Sequence, residues 1–272
     1  MDNFYSQKET FEKMVDIGEK KANKYIWDVL ILGFMAGAYI GFGGQVATVV
    51  ATGTTAILGY GMTKLLMGAV FSIALMLVII DGAELFTGNH LMIQARMKGR
   101  ILWGAMLKNW AWVYFANFVG AVFVAVLIYY AGLWSFADNH LGEMALKIAN
   151  EKVNLSFMQA FIRGILANWL VCLAVYIAIS SKDIVGKIFG IFFPVMTFVA
   201  CGFEHSIANM FFIPMGIFIE NQPAIVASSG LDVSNLTWYH MFYTNLLPVT
   251  IGNIIGGALF VGFLYYMVNR KA

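Results

Sequence analysis

Gly82-Ala83-Glu84-Leu85-Phe86-Thr87-Gly88-Asn89 and Gly202-Phe203-Glu204-His205-Ser206-Ile207-Ala208-Asn209 are the two stretches that decide the fold. Both fit the pattern G-x-E-x-x-x-x-N, and each interrupts an apolar run that is long enough to cross a bilayer. A glutamate at membrane depth is costly unless the protein gives it a partner or a wet cavity. Broken membrane helices at corresponding places in two halves indicate a transport site where the breaks meet. The two stretches therefore predict a solute pathway and locate its centre.

The composition supports a protein embedded in a membrane. Of the 272 residues, 60% are hydrophobic and only 12% are charged, whereas soluble domains carry roughly 25% charged residues. The mean hydropathy is +0.76. Together with several apolar runs of membrane-spanning length, these values predict an all-α polytopic membrane protein.

Apolar runs separated by glycines and charges predict six transmembrane helices, of which the second and the fifth are broken. The second is interrupted near 81–90 and the fifth near 201–208. The predicted spans are 26–51, 63–95, 104–133, 156–180, 187–218 and 245–269.

Basic residues predict the orientation. Thirteen of the 17 lysines and arginines fall in the N-terminal tail, in the loops after the second and fourth spans, or at the C-terminus. The positive-inside rule then places both termini in the cytoplasm of a multi-pass protein of the cell (inner or plasma) membrane. Within 1–25, apolar residues recur at helical spacing opposite lysines and glutamates, which predicts an amphipathic cytoplasmic helix at the membrane surface. Residues 26–272 would form the channel domain.

An internal repeat accompanies the breaks. The third and sixth spans share the spacing N-x7-N-x2-G-x8-Y-Y. Three spans per repeat is an odd number, so the two repeats, about 26–133 and 156–269, would lie inverted in the membrane. Shared helix-packing chemistry is the alternative explanation of these asparagines and glycines. The residues that carry the pattern are Asn109, Asn117, Gly120, Tyr129 and Tyr130 in one half, and Asn245, Asn253, Gly256, Tyr265 and Tyr266 in the other.

At these motifs the chain resembles the formate/nitrite transporter family, and the resemblance covers essentially the whole sequence. It is carried by 83–87, 108–110, 164–168, 202–210 and 248–257. The resemblance implies an aquaporin-like protomer with its own pore, assembly as a homopentamer, and conduction of formate, nitrite or hydrosulfide. Gly88-Asn89 is similar to nitrite-type members, whereas 211–216 is similar to formate-type and hydrosulfide-type members, so the preferred anion stays open.

His205 is the first candidate for the chemistry, because it alone among four histidines falls within a predicted break. His90, His140 and His240 fall at or nearer to span ends. An imidazole can supply a hydrogen bond or a proton at cellular pH, and the neutral acid of a weak-acid anion crosses an apolar passage far more easily than the ion. The alternative is a histidine that merely satisfies backbone groups of the broken helix. The family resemblance places His205 at the pore centre, where it would protonate the anion.

The remaining site residues follow from the breaks and from the resemblance. The Thr87 hydroxyl would bond His205 or the substrate, or else cap its own helix. Asn168 would lie near the pore or in a helix contact, and Lys152 would attract anions into a vestibule or be a solvated surface lysine. The resemblance implies apolar constrictions on either side of His205, and ordinary core packing is the alternative for their residues: Phe71, Leu75, Leu85, Phe86 and Phe198. A structural role at the breaks, as partners of freed backbone groups or of asparagines, is assigned to Glu84, Asn89, Glu204 and Asn209.

Two other classes of protein are weighed against this prediction. An enzyme would need a nucleophile–base pair, a metal motif or a phosphate loop, and the sequence has no H-E-x-x-H, G-x-S-x-G or P-loop pattern. An aquaporin-like channel for neutral small solutes is the nearer rival, but no proline follows an asparagine, so its Asn-Pro-Ala pair is missing. The expected partners are the small anion, protons and the lipid bilayer, with no cofactor, metal or nucleic acid.

Overall fold

The computed structural model describes residues 3–270 as an all-helical protein. The ends of the predicted domains, residues 1–2 and 271–272, lie outside the described range. The first half contains α1 (Gln7–Ala22), α2 (Ile26–Ala51), α3 (Thr54–Phe71), α4 (Ile73–Asp81), α5 (Phe86–Asn89), a 3-10 turn (His90–Met92), α6 (Ile93–Met97) and α7 (Trp103–Tyr130). The second half contains a 3-10 turn (Leu133–Ser135), α8 (His140–Val153), α9 (Phe157–Ser180), α10 (Ile184–Ala200), α11 (Ser206–Ile219) and α12 (Pro223–Ser229). The last span follows as α13 (Trp238–His240), a π-helical turn (Met241–Leu246), α14 (Leu247–Ile254), a second π-helical segment (Ile255–Phe263) and α15 (Leu264–Asn269).

Most of these helices belong to six crossings of the membrane within the described chain. Five are long and apolar enough to span alone: Ile26–Ala51, Thr54–Asp81, Trp103–Tyr130, Phe157–Ser180 and Trp238–Asn269. The fifth crossing in chain order consists of α10 and α11, two half-length helices on either side of a break. The second and fifth crossings are the broken ones, as the sequence predicts.

Two predicted boundaries are wrong. The second span begins at Thr54 rather than at 63, because α3 continues across the non-helical Gly59 at a φ of 74°. The sixth begins at Trp238 rather than at 245, because Thr237 caps a helical turn that precedes the predicted apolar run. In both cases the helix extends beyond the hydrophobic segment that marks it in the sequence.

Each break begins at a glycine in the left-handed region. Gly82 ends α4 at a φ of 82°, and Gly202 follows α10 at a φ of 71°. Residues with a Cβ rarely adopt this conformation, so glycine is the natural residue to end a helix and redirect the chain. The polypeptide then runs extended for a few residues and re-enters a helix at Phe86 in one half and at Ser206 in the other.

The apolar face of the N-terminal helix α1 packs against protein. Phe11, Met14 and Val15 are buried, and α1 contacts α6, the adjacent 3-10 turn and α9. A Cβ on Gly18 would lie 2.8 Å from the Cβ of Ala95, so the two elements approach closely. Because α1 also contacts α15, both ends of the described chain lie on one side of the molecule, here called the terminal side.

Candidate functional site

The first break is held by a cluster of polar side chains around Glu84. The Glu84 carboxylate accepts hydrogen bonds from Lys21 Nζ at 2.7 Å, Lys24 Nζ at 2.7 Å and Asn89 Nδ2 at 2.8 Å. Asn89 Nδ2 also donates to Asn109 Oδ1 at 2.8 Å, and Asn109 Nδ2 donates back to the Lys21 carbonyl at 3.3 Å. A carboxylate that is 99% buried thus has two cations and an amide as partners.

The second break repeats this cluster with other residues. The Glu204 carboxylate accepts from Lys152 Nζ at 2.9 Å and from Asn209 Nδ2 at 2.6 Å. Asn209 Nδ2 also donates to Asn245 Oδ1 at 2.7 Å, and Asn245 Nδ2 donates to the Lys152 carbonyl at 2.9 Å. Lys152 therefore has the position in the second half that Lys21 has in the first.

A buried asparagine satisfies the freed backbone of the first break. Asn117 Nδ2 donates to the carbonyls of Gly33 at 2.7 Å and Glu84 at 2.9 Å, while its Oδ1 accepts from the Phe86 amide at 2.9 Å. One side chain thus bonds the two backbone groups that the interrupted helix leaves free, the Glu84 carbonyl and the Phe86 amide, and links them to Gly33 in the neighbouring helix α2.

Asn253 performs the same task in the second break. It donates to Gly164 O at 2.8 Å and Glu204 O at 3.0 Å, and it accepts from the Ser206 amide at 2.9 Å. For these backbone bonds the two halves match one for one, and this agreement supports the inverted repeat. It also extends the repeat beyond the predicted bounds, because Lys21 belongs to α1 and Lys152 to α8. Each repeat unit therefore contains a surface helix in addition to its three spans.

The glutamates have partners that the sequence analysis only partly anticipated. Asparagines bond both carboxylates, but the freed backbone groups are bonded by Asn117 and Asn253 rather than by Glu84 or Glu204. The lysine partners were missed, because sixty or more residues separate Lys21 from Glu84 in the chain. The repeat spacing around Asn109 and Asn245 was the available signal for these asparagine clusters.

The two breaks differ at one position beside the glutamate, where Leu85 in one half corresponds to His205 in the other. Both residues contribute to a small cavity of about 10 Å³, enough for about one water molecule. Ile40, Phe71, Leu75, Val171, Val195 and Phe198 form the rest of its wall. The cavity is an apolar constriction into which the structure brings one histidine.

His205 is held by hydrogen bonds at both ring nitrogens. Its Nδ1 accepts from the Ala208 amide at 3.2 Å, and its Nε2 lies 2.9 Å from Thr87 Oγ1. Because Nδ1 accepts, the neutral ring carries its proton on Nε2 and donates it to the threonine hydroxyl. The Phe198 ring stacks on the imidazole with centroids 5.9 Å apart. His205 and Thr87 thus join the two breaks directly.

A vestibule opens on each side of the constriction. On the terminal side a cavity of about 280 Å³ is lined by Leu75, Leu85, Glu84 and three lysines at or just beyond the end of α1. On the opposite side a cavity of about 360 Å³ reaches Phe71, Phe198 and His205. Each vestibule carries more basic than acidic side chains: Lys20, Lys21 and Lys24 against Glu84 in the first, and Lys64, Lys152 and Arg163 against Glu151 and Glu204 in the second.

Three of the predicted site residues lie outside the lining of these cavities. Phe86 is buried, but its ring packs edge-on against His90, Trp110 and Tyr114, away from the constriction. Thr87 and Asn168 are fully buried behind the wall, where Asn168 Nδ2 donates to the Thr87 carbonyl at 3.2 Å.

The sequence places His90 at or near a span end, which sets it apart from the site, but the structure buries it beside the site. The side chain is fully buried beside the first break, with its Nδ1 2.7 Å from Asn168 Nδ2. His205 is therefore not the only histidine near the centre of the molecule. The position of His90 along the predicted span does not reveal this burial, because the chain turns back into the protein after the break.

Paired helix breaks, two basic vestibules and a single-file apolar constriction define a class of membrane channel or transporter for small solutes. The family model of the formate/nitrite transporters matches residues 8–267, and the chain belongs to that family. A probable formate transporter from Methanothermobacter thermautotrophicus is 45% identical, with 99% of this chain and 98% of the relative covered. The formate channel FocA of Escherichia coli (strain K12) is 42% identical over 94% of this chain and 91% of its own.

Solved structures agree with this assignment. One described as a pentameric formate channel with formate bound superposes with a TM-score of 0.82 at 36% identity, covering 93% of this chain and 99% of that one. An ion channel of the same family gives a TM-score of 0.83 at 31% identity, covering 96% and 98%. The protein is thus a multi-pass membrane protein of a channel and transporter family.

Proposed function

We propose that this protein conducts a small monovalent weak-acid anion across the cell membrane, with formate as the first candidate and nitrite or hydrosulfide as alternatives. The observation that carries the proposal is His205 in the wall of an apolar constriction that lies between two basic vestibules. A cationic approach concentrates anions, whereas the constriction favours a neutral species. The relatives described as formate channels or transporters support formate.

In this proposal the anion accepts a proton at His205 and passes the constriction as the neutral acid. The neutral imidazole donates its Nε2 proton to the Thr87 hydroxyl, which is buried behind the wall. Thr87 therefore fixes the ring in the wall of the constriction, and this bond must open before Nε2 can donate to the anion. Donation from Nε2 leaves an imidazolate unless Nδ1 also gains a proton, and protonation of Nδ1 requires its bond from the Ala208 amide to break. A small shift of His205 away from Ala208 would therefore accompany each transfer.

The other assigned residues serve this passage. Phe71 and Phe198 form the barrier toward one vestibule, and Leu75 and Leu85 form the barrier toward the other. Lys152 and its counterpart Lys21 offset the charge of the buried glutamates, which would otherwise repel an anion. The asparagines Asn89 and Asn209 fix those carboxylates beside the pathway rather than in it.

Assembly and orientation complete the proposal. A homopentamer is supported by the description of the solved formate channel that this chain resembles. The positive-inside rule places the terminal side in the cytoplasm, and Lys98 and Arg100 in the loop after α6 lie on that side, where they pair with Glu12 and Glu19 of α1. Cross-linking in native membranes tests the pentamer, and labelling of single introduced cysteines from outside the cell tests the orientation.

Flux through proteoliposomes tests the proposed function. The wild type and His205→Ala are compared for uptake of formate, nitrite and hydrosulfide across pH 5–8, with glycerol as the neutral solute. We expect the wild type to pass at least one anion with a rate that rises as pH falls, and His205→Ala to lose that rise. Passage of glycerol without any of the three anions would instead support an aquaporin-like channel.

A further inference from the structure

A buried polar seam behind the constriction is the second place where the two halves differ. Here α5 and the following 3-10 turn pack against α9 through residues with hydrogen-bonding side chains. Their repeat counterparts, taken in the register that pairs Asn89 with Asn209 and Gly33 with Gly164, are apolar or glycine. The seam consists of Thr87, His90, Asn168 and Cys172, and the counterparts are Ile207, Met210, Gly37 and Gly41.

Asn168 is the centre of the seam. Its Nδ2 lies 2.7 Å from His90 Nδ1, 2.7 Å from the Asn253 carbonyl and 3.2 Å from the Thr87 carbonyl. An amide nitrogen only donates, so His90 accepts at Nδ1; because the amide has two hydrogens for three acceptors, the longest bond, to the Thr87 carbonyl, is a shared one. Cys172 Sγ donates a further weak bond to the Thr87 carbonyl at 3.3 Å. The seam therefore links the first break, through Thr87, to Asn253, which supports the second.

The repeat shows that the fold does not require this seam. In the other half, glycine replaces the asparagine and the backbones approach closely: a Cβ on Gly37 would lie 2.1 Å from the Asn117 carbonyl oxygen. The buried Met210 is the counterpart of His90. Both halves nevertheless form the same hydrogen-bonded cluster of glutamates and asparagines around the break. Burying an imidazole and an amide costs free energy that a methionine and a glycine avoid.

We propose that His90 is a positioning residue for the central histidine, which acts through Asn168 and Thr87; this inference rests on the proposed function. The imidazole of His90 fixes the Asn168 amide, and the amide holds the Thr87 carbonyl. Thr87 in turn places its hydroxyl 2.9 Å from His205 Nε2. The rings of Phe86 and Trp110 contact the His90 ring edge-on at 4.5 and 4.8 Å, so its orientation is sterically fixed.

Two substitutions separate the hydrogen bond of His90 from its volume. His90→Met introduces the residue of the repeat counterpart, which fills the space but offers no comparable acceptor. His90→Asn loses volume but keeps an acceptor oxygen near the position of Nδ1. Met210→Leu is the matched control in the other half, because it conserves volume at the equivalent site. All four proteins are reconstituted, and uptake of formate, nitrite and hydrosulfide is measured together with thermal unfolding.

We expect His90→Met to assemble normally and to conduct about five- to tenfold less, as the loss of one buried hydrogen bond to the site implies. We expect His90→Asn to recover most of that flux and Met210→Leu to match the wild type. Equal flux in His90→Met and wild type, equal losses in the Met and Asn variants, or failure of His90→Met to fold would each overturn the inference. A wild type that passes none of the three anions would instead contradict the proposed function.

Discussion

The two helix breaks share one frame but differ in what that frame holds. Each surrounds a buried glutamate with a lysine and two asparagines, and each uses a further asparagine to bond the freed backbone. At the position after the glutamate one break has Leu85 and the other has His205. The comparison separates the residues that make a broken helix stable in a membrane from the residue that gives the pathway its chemistry.

The breaks also differ in their cations. Glu84 binds two lysines, Lys21 in the last turn of α1 and Lys24 just beyond the end of that helix. Glu204 binds Lys152 alone, and Asn209 Oδ1 is left buried without a hydrogen-bond partner. The first break is therefore tied to the N-terminal helix α1 and the residues just after it, whereas the second is tied to α8, which lies between the third and fourth crossings.

The largest effect is expected from the backbone-bonding asparagines. Asn117→Leu and Asn253→Leu each leave two buried backbone groups of a break without partners, at about 1–3 kcal/mol for each group. We expect both variants to yield little folded protein, and by similar amounts, when membrane extracts are followed by size-exclusion chromatography. Normal folding of either variant would break the equivalence of the two halves.

The next largest effect is expected from the glutamates, and it should differ between the two: Glu84→Gln should loosen α1, whereas Glu204→Gln should not. Glu84→Gln weakens the attachment of Lys21 and Lys24, so amide hydrogen exchange across 7–22 should accelerate by about tenfold or more, the change that about 1.4 kcal/mol of lost attachment gives. Glu204→Gln is the matched control and should leave exchange in α1 unchanged. Equal acceleration in both variants would show that the lysine pairs do not hold α1 in place.

A smaller effect, on the selectivity between anions of different size, is expected when an apolar residue of the constriction is truncated. Phe71→Ala and Leu75→Ala widen the constriction from opposite vestibules. Each should raise the ratio of acetate to formate uptake several-fold, since the extra methyl group of acetate then fits. An unchanged ratio in both variants would place the size filter elsewhere.

The smallest effect is expected from Lys152→Met. This lysine already neutralises Glu204 and lies 5.4 Å from the centroid of Phe212, and Lys64 and Arg163 remain in the same vestibule. Uptake at low substrate concentration should fall by about two- to fivefold, with a smaller difference at high salt because screening weakens the remaining attraction. A difference that grows with salt would exclude an electrostatic role.

The sequence predicts the six spans and the two breaks well, because the patterns that indicate them are local in the chain. Two G-x-E-x-x-x-x-N stretches and the paired asparagines are each readable within one or two spans. The partners of these residues are not readable, because Lys21 and Lys152 belong to surface helices whose amphipathic pattern says nothing about which glutamate they reach. His90 was misjudged for a related reason: nearness to a predicted span end does not reveal that a re-entering chain is buried by α7 and α9.

The most direct test of the account is formate uptake by His205→Leu, with Leu85→Ile as the matched control in the other break. Leucine already occupies the equivalent position beside Glu84, so the His205→Leu protein should fold and assemble as the wild type does. The account predicts that its formate uptake falls to the level of empty liposomes, while Leu85→Ile keeps most of the wild-type rate. Uptake by His205→Leu at the wild-type rate would contradict the claim that formate passage requires the one histidine that distinguishes the second break from the first.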